Sequence, residues 1–171
     1  MKVHKMRGMM FVISETDLTN LNRCVELARE ALAQGDQPFG SVLVSKDGEV
    51  LFEDHNHIAA GDQTQHPEFN IARWAGQNMA EADRADATVY TSGEHCPMCS
   101  AAHGMVGLGR IVYASSSKQF GQWKDEMGIN ETPRVRALAI EEVIVDAQVD
   151  GPVPKLAEEI KELHRQYFNK K

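Results

Sequence analysis

Residues 91–102, TSGEHCPMCSAA, combine the end of a strand, two cysteines and the start of a helix in one short stretch. Residues 87–92 (ATVYTS) are rich in β-branched and aromatic side chains, which predicts a buried strand. The small, apolar residues that follow predict a helix over residues 97–106. Cys96 and Cys99 therefore lie at a helix N-terminus, where the helix dipole favours thiolate over thiol. Such a pair has two common uses, metal ligation and thiol–disulfide exchange.

The upstream sequence His66-Pro67-Glu68 bears on the choice between these two uses. Its imidazole can join the two sulfurs as a third metal ligand, and catalytic zinc sites take three protein ligands and leave the fourth position to water. The carboxylate of Glu68, two residues from that ligand, is then placed to move protons during hydrolysis. His-x-Glu followed by Cys-x-x-Cys is the pattern of zinc-dependent nucleobase deaminases.

Three further motifs extend this pattern along the chain: residues 38–40 (PFG), Asn56, and a predicted strand at residues 110–114 (RIVYA). In this order and spacing, the motifs resemble the cytidine deaminase-like zinc deaminases, closest to the branch of guanine deaminases and tRNA adenosine deaminases. The resemblance covers most of residues 17–147. It implies an α/β/α fold, hydrolytic deamination, one zinc ion per chain and a homodimer.

The same resemblance assigns roles to individual residues. It implies zinc ligation by His66, Cys96 and Cys99, proton transfer by Glu68, and contacts to the base from Phe39 and Asn56. Two positions depart from the usual pattern: His95 stands where proline usually precedes the first cysteine, and Pro67 stands where alanine most often follows the ligand histidine. We count both among the substrate contacts. Guanine deaminases of this branch also use an acidic residue after the fourth strand and an aromatic residue of the C-terminal tail. The positions available for these roles are Asp125, Glu126, Tyr167 and Phe168, with Trp123 as a lid over the base.

Composition sets limits on the class of protein. The chain has 171 residues, 42% of them hydrophobic and 25% charged, which suits one domain over residues 1–171. The formal charge of −7 argues against nucleic acid as an obligatory partner. The apolar run at residues 9–13 (MMFVI) is too short for a membrane span or a signal-peptide core. Three cysteines, two of them in a metal-like spacing, suit a reducing compartment, so we expect a cytoplasmic protein without membrane attachment.

Hydrophobic periodicity predicts an α/β fold, a three-layer α/β/α sandwich with a mixed sheet of about five strands. The predicted helices span residues 17–34, 66–82, 97–107 and about 155–170. The predicted strands span residues 39–45, 49–52, 87–92, 110–114 and 142–147. Residues 115–132 are predicted to be loop with some helix, and residues 133–140 a short helical turn. The C-terminal helix is a candidate for packing on, or exchanging with, a partner subunit.

Other functions remain open at this stage. A structural zinc site would need a fourth ligand, for which His55, His57, His95 and His103 are candidates. A redox Cys-x-x-Cys explains the cysteines but makes the His-x-Glu pattern a coincidence. Among deaminases, we favour a free nucleobase or nucleoside as substrate, with guanine or a related amino-purine or amino-triazine first and cytosine or cytidine next. A tRNA-specific adenosine deaminase is the alternative, although the basic residues near the C-terminus alternate with glutamates, which is typical of a solvated helix face.

Overall fold

A five-stranded mixed sheet between two layers of helices forms the body of the chain, in a computed structural model that describes residues 12–170. The strands are β1 (Gly40–Val44), β2 (Val50–His55), β3 (Thr88–Gly93), β4 (Ile111–Ser115) and β5 (Val149–Asp150). The α-helices are α1 (Glu15–Ala33), α2 (Pro67–Asn78), α3 (Glu81–Asp86), α4 (Pro97–Met105), α5 (Ser117–Glu126), α6 (Ile140–Val143) and α7 (Pro154–Asn169). The α/β class predicted from the sequence is confirmed. Within the described residues, no helix combines the length and apolarity needed to cross a bilayer.

The strands lie in the order β2-β1-β3-β4-β5. Strand β1 pairs antiparallel with both β2 and β3, whereas β3, β4 and β5 run parallel. The β1–β2 hairpin turns at the Asp47-Gly48 pair, where Gly48 has φ +87°, a conformation that suits glycine. Parallel neighbours need a crossover, and α4 provides the one between β3 and β4.

The central strands are buried on both faces, and alternate side chains enter different helix layers. In β1, Val42 and Val44 pack in a hydrophobic cluster with α1 and α7, while Leu43 packs with α2 on the opposite face. Cys24 of α1 is completely buried in the first cluster, where it packs as a small core residue. Strand β1 approaches α1 so closely that a Cβ on Gly40 would lie 2.6 Å from the Cys24 carbonyl oxygen.

The prediction of a fifth strand at residues 142–147 is wrong. This segment contains the end of α6 and a turn, and the fifth strand is instead the two-residue β5. The apolar run misled the prediction because it is not buried as a strand: Val145 is 88% exposed, whereas Ile140 at the start of α6 is completely buried. A Glu142 carboxylate that accepts the Ala139 N–H at 2.7 Å caps α6.

The helix predicted within residues 115–132 is α5, which begins at a capping box between Ser116 and Gln119. The helix predictions need correction in two other places. The helix predicted to reach residue 82 ends at Asn78, and α3 follows it as a separate helix. Residues 133–139 form no helix. The C-terminal helix α7 packs on α1 and β4 of its own chain.

Candidate active site

The three predicted metal ligands lie at the N-termini of two neighbouring helices, α2 and α4, on one face of the sheet. His66 is the N-cap residue of α2, and Cys96 is the N-cap residue of α4, just after β3. Proline occupies the first helical position in both helices, at Pro67 and Pro97, where its fixed φ helps the helix begin and no N–H is lost from the hydrogen-bond pattern. Cys99 follows in the first turn of α4 and is completely buried.

The distances among these ligands fit a zinc ion. The Nδ1 atom of His66 lies 3.6 Å from Cys96 Sγ and 3.5 Å from Cys99 Sγ. In tetrahedral zinc, with Zn–S about 2.3 Å and Zn–N about 2.0–2.1 Å, a nitrogen and a sulfur ligand lie about 3.5–3.6 Å apart. Both nitrogen–sulfur distances therefore match one zinc ion, and three protein ligands leave a fourth tetrahedral position open.

The two thiols differ in their affinity for a proton. The Cys99 thiol donates to Cys96, and His66 lies alongside, so the pKa of Cys96 is lowered to about 4. The same hydrogen bond, together with burial, raises the pKa of Cys99 well above its usual range. Burial lowers the pKa of His66, but its hydrogen bond to Cys96 and the nearby Glu68 outweigh this effect and raise it. The pair carries one thiolate before metal binds, and binding releases the second proton.

Glu68 lies beside the ligands in the first turn of α2 and is almost completely buried. Its Oε1 atom accepts hydrogen bonds from Ser41 Oγ at 2.8 Å and Thr91 Oγ1 at 2.7 Å. Its Oε2 atom lies 3.7 Å from Cys99 Sγ. One carboxylate oxygen is thus held by the sheet, while the other faces the metal site.

The hydroxyl of Thr91 can serve both protonation states of Glu68. A proton on Oε2 leaves Oε1 an acceptor, so Thr91 can donate to Oε1 in either state, and the Gly93 carbonyl oxygen lies within reach of the same hydroxyl at 2.9 Å. Burial raises the pKa of Glu68, and the nearby His66 and the two hydroxyls partly offset that rise. A carboxyl group with a raised pKa and a partner for either state is suited to accept and return a proton.

Phe39 and Asn56 are held together near the end of β3. The Asn56 N–H donates to the Phe39 carbonyl at 3.0 Å, and Asn56 Nδ2 donates to the Gln37 carbonyl at 3.3 Å. The Oδ1 atom of Asn56 is buried and has no hydrogen-bond partner within residues 12–170. The Phe39 ring lies against Gly93, where a Cβ would come within 2.7 Å of it. An unpaired buried acceptor costs free energy unless a ligand donor meets it, so Asn56 is a candidate contact for a ring N–H.

Comparison with known proteins assigns the family. Residues 14–115, more than half of the chain, match the family profile described as the cytidine and deoxycytidylate deaminase zinc-binding region. The chain belongs to this deaminase family. The matched segment contains all three ligands and Glu68, so a family defined by zinc binding coincides with a ligand group whose geometry suits one zinc ion.

Relatives of this chain carry the names of deaminases of different bases. A guanine deaminase of Bacillus subtilis is 40% identical over 104 residues, 60% of this chain and 61% of the relative. A probable cytosine deaminase of Schizosaccharomyces pombe is 30% identical over 106 residues, 62% and 64% respectively. A tRNA-specific adenosine deaminase of Streptococcus pyogenes is 28% identical over 102 residues, 59% and 64%. Each alignment spans less than two thirds of the relative's own length.

A solved structure shares the fold of this chain over almost the whole length of both proteins. The guanine deaminase of Nitrosomonas europaea superposes with a TM-score of 0.66 at 19% identity, and the match covers 96% of this chain and 98% of that one. At this level of identity, the likeness supports the fold alone. Both the mixed sheet and the helix layers are therefore those of cytidine deaminase-like structures.

A cluster of aromatic side chains lies next to Phe39. It contains His164, which the sequence did not identify as part of the site. The ring of His164 on α7 lies 4.9 Å from Phe39, 4.6 Å from Phe120 and 6.2 Å from Trp123, measured between ring centroids. His164 is completely buried, and neither ring nitrogen has a hydrogen-bond partner within the described residues. The sequence did contain a sign that His164 is buried, because it lies four residues after Ile160 and therefore on the apolar face of α7.

The structure buries two of the other predicted substrate contacts and exposes two. Trp123 is only 5% exposed and packs in the hydrophobic cluster between α5 and α7, and its role as a lid over the base stays a prediction. Asp125 and Glu126 are exposed at the end of α5, and Glu126 pairs with Lys161 at 2.7 Å, so neither is enclosed around a base. Tyr167 is buried in the same core cluster, on α7.

Two departures from the family pattern have local structural explanations. Pro67 is buried and begins α2. His95 is 1% exposed and packs edge-on against His103, with 5.3 Å between ring centroids. Burial lowers the pKa of His95 well below its usual range, so the ring is neutral. Both ring nitrogens of His95 are buried without a hydrogen-bond partner within residues 12–170, and its role as a substrate contact stays a prediction.

Proposed function

We propose that this deaminase removes the exocyclic amino group of a free nucleobase or nucleoside by zinc-dependent hydrolysis. Guanine or a related amino-purine or amino-triazine is the favoured substrate, and cytosine or cytidine is next. The observation that supports this most is Glu68, whose Oε1 atom is held by two hydroxyls while Oε2 lies 3.7 Å from a predicted zinc ligand. When bound, zinc acts as a Lewis acid and lowers the pKa of water at its open position to roughly 7.

The residues around the ligand group have separate tasks in this proposal. Glu68 accepts a proton from the attacking water on Oε2 and delivers it to a ring nitrogen of the substrate. It then takes the proton of the newly added hydroxyl and passes it to the amino group, so that the C–N bond breaks, the carbonyl forms and ammonia leaves. Thr91 and Ser41 keep that carboxylate in place through both protonation states. Asn56 offers its unpaired Oδ1 to an N–H on the edge of the base, and Phe39 supplies an apolar wall.

The charge distribution supports a small substrate over tRNA. Basic side chains on or beside α7 are neutralised by glutamates: Lys161 pairs with Glu126, Arg165 with Glu162, and Arg29 with Glu159, at 2.7, 2.6 and 2.8 Å. A phosphate-binding surface would leave such cations free. The alternative, a tRNA-specific adenosine deaminase, draws support from the similarity to the Streptococcus pyogenes protein.

Ammonia release from zinc-loaded protein tests the proposal. The panel comprises guanine, cytosine, their nucleosides, adenosine, a triazine and an adenosine-containing tRNA anticodon stem-loop. We expect turnover of one or more free substrates, with a kcat/KM that changes little with salt. Turnover of the stem-loop alone, with a kcat/KM that falls steeply as salt rises, would replace the free-base proposal with the tRNA alternative.

We also propose a homodimer and a reducing, cytoplasmic location. Met105 of α4 and Val145 are 87% and 88% exposed, and both line a groove between α4 and the segment after α6. Exposed apolar groups of this kind mark contact surfaces. Light scattering should give a dimer mass, and Met105→Glu should reduce it to that of a monomer. The location follows from the need to keep the Cys96 and Cys99 thiols reduced.

A further inference from the structure

A second group of side chains of the kinds that bind metals lies next to Asn56 and consists of Asp36, His55 and His57. Asp36 lies in the loop between α1 and β1, His55 is the last residue of β2, and His57 follows two residues later. Within residues 12–170, each of these side chains offers one ligand atom, and the three atoms all lie within 4.8 Å of one another. The two imidazole rings are 4.3 Å apart, measured between centroids.

Hydrogen bonds fix which nitrogen of each histidine is free. The Nδ1 atom of His55 lies 2.9 Å from the Asn56 carbonyl oxygen, and because a carbonyl only accepts, Nδ1 carries the hydrogen. The Nε2 atom of His57 donates in the same way to Asp54 Oδ1 at 2.9 Å. His55 Nε2 and His57 Nδ1 are left with lone pairs. Metal-bound histidines use this arrangement, in which a carbonyl or carboxylate orients the ring from behind.

Asp36 adds a negatively charged ligand to the two histidines. The side chain is buried, at 6% exposure, and its Oδ1 atom accepts the Ala59 N–H at 2.7 Å. Its Oδ2 atom accepts no hydrogen bond among the described residues and is not closed off from solvent, so it can reach an ion.

We propose that Asp36, His55 and His57 form a second metal site, which takes a divalent first-row transition ion such as zinc or cobalt. Two imidazoles and one carboxylate suit these ions, whereas calcium and magnesium prefer oxygen ligands. Donors around a tetrahedral ion lie about 3.3–3.5 Å apart, so an ion at this site would draw the three side chains closer together than the 4.8 Å limit. The His57 side chain is 44% exposed and provides a path for the ion.

The position of this site couples it to the substrate-binding residues. A bound ion joins the loop of Asp36 to the end of β2, and Asn56 lies between its two histidine ligands. The same loop continues to Gln37 and Phe39, whose carbonyl oxygens accept hydrogen bonds from Asn56. The ion therefore holds Asn56 against Phe39, a consequence that rests on the proposed function, although the binding of the ion does not.

Cobalt titration of metal-free, reduced protein tests the site. We expect two ions per chain: one produces sulfur-to-cobalt charge-transfer absorption from Cys96 and Cys99, and the other adds only ligand-field bands. Asp36→Asn keeps an acceptor for the Ala59 N–H but lacks the charge, and His57→Gln lacks a ligand. Each should weaken the second ion more than 100-fold, beyond the roughly 10–100-fold cost of losing an outer partner, and should leave the first ion unchanged.

Controls separate this proposal from the function of the main site. Glu49→Gln, an exposed carboxylate at the far end of the same hairpin, should keep both ions. Charge-transfer absorption from the first ion shows that each variant is folded. One ion per wild-type chain, or a second ion that both variants retain, would overturn the proposal. Neither result would affect the assignment of the first site, and loss of turnover on every substrate would leave the second ion's binding unaffected.

Discussion

Thr91→Val removes one of the two hydroxyls that hold Glu68, with little change in side-chain shape. Thr91 is completely buried, and its Oγ1 atom donates to Glu68 Oε1 at 2.7 Å. Valine leaves the carboxylate with Ser41 as its one hydroxyl donor. Because the ionised form loses more than the neutral form, the pKa of Glu68 must rise further.

The size of the effect follows from the kind of bond that is lost. A hydrogen bond to a charged group contributes about 1.5–3 kcal/mol, and one pKa unit corresponds to about 1.36 kcal/mol, so the pKa of Glu68 should rise by about 1–2 units. The acid limb of the pH profile of kcat/KM should move upward by the same amount. Loss of a group that orients a catalytic residue at a metal site typically lowers activity by about 10–100-fold.

The assay is ammonia release from the best free substrate between pH 5 and pH 9, with zinc content measured on the same samples. Thr91→Ser keeps the hydroxyl and should restore the wild-type profile. A Thr91→Val protein with full zinc occupancy and an unshifted acid limb would refute the positioning role of Thr91. Loss of zinc from Thr91→Val would instead show that this hydroxyl supports the ligand group.

Two further predictions concern stability. Burial lowers the pKa of His164 to about 3, whereas a histidine in the unfolded chain has a pKa near 6.5. As the pH falls from 7 to 5, the unfolded chain therefore binds a proton that the folded chain does not, and the free energy of unfolding decreases by about 2 kcal/mol. His164→Phe should remove that part of the difference between urea denaturation at pH 7 and pH 5, and an unchanged difference would contradict the assignment. Gly40→Ala places a Cβ 2.6 Å from the Cys24 carbonyl oxygen and should cost about 1–3 kcal/mol. Gly121→Ala, in open space on α5, should be neutral or stabilising by up to about 1 kcal/mol, and equal effects of the two substitutions would contradict the packing argument.

The metal ligands could be predicted because their signal is local. His66 and Cys96 each precede a proline that begins a helix, and the two-residue gap to Cys99 places both sulfurs on one helix turn. The two hydroxyls that hold Glu68 could not be predicted in this way, because Ser41 and Thr91 are far apart in sequence. They become neighbours only through the antiparallel register of β1 and β3, which sets them directly opposite each other.

The errors have a common physical origin. Residues 142–147 have the composition of a strand, but tertiary packing buries Ile140 and leaves Val145 exposed. Trp123 lies in a polar segment, which suggested that its side chain is accessible. The side chain is buried because α7 offers it an apolar face. In both cases the outcome depended on which surface of another element was available, and a sequence pattern does not contain that information.

The most direct test of the central claim compares wild-type protein with Glu68→Gln, each loaded with zinc and measured for both metal content and ammonia release. Glutamine keeps the shape of the side chain and an acceptor for Ser41 and Thr91 but cannot carry the proton. Wild-type levels of zinc with turnover reduced by at least 10²-fold are the expected result, since general acid–base catalysis contributes about 10²–10⁴-fold. The exposed Glu158→Gln should match wild type in both measurements. Normal turnover by zinc-loaded Glu68→Gln would contradict the account.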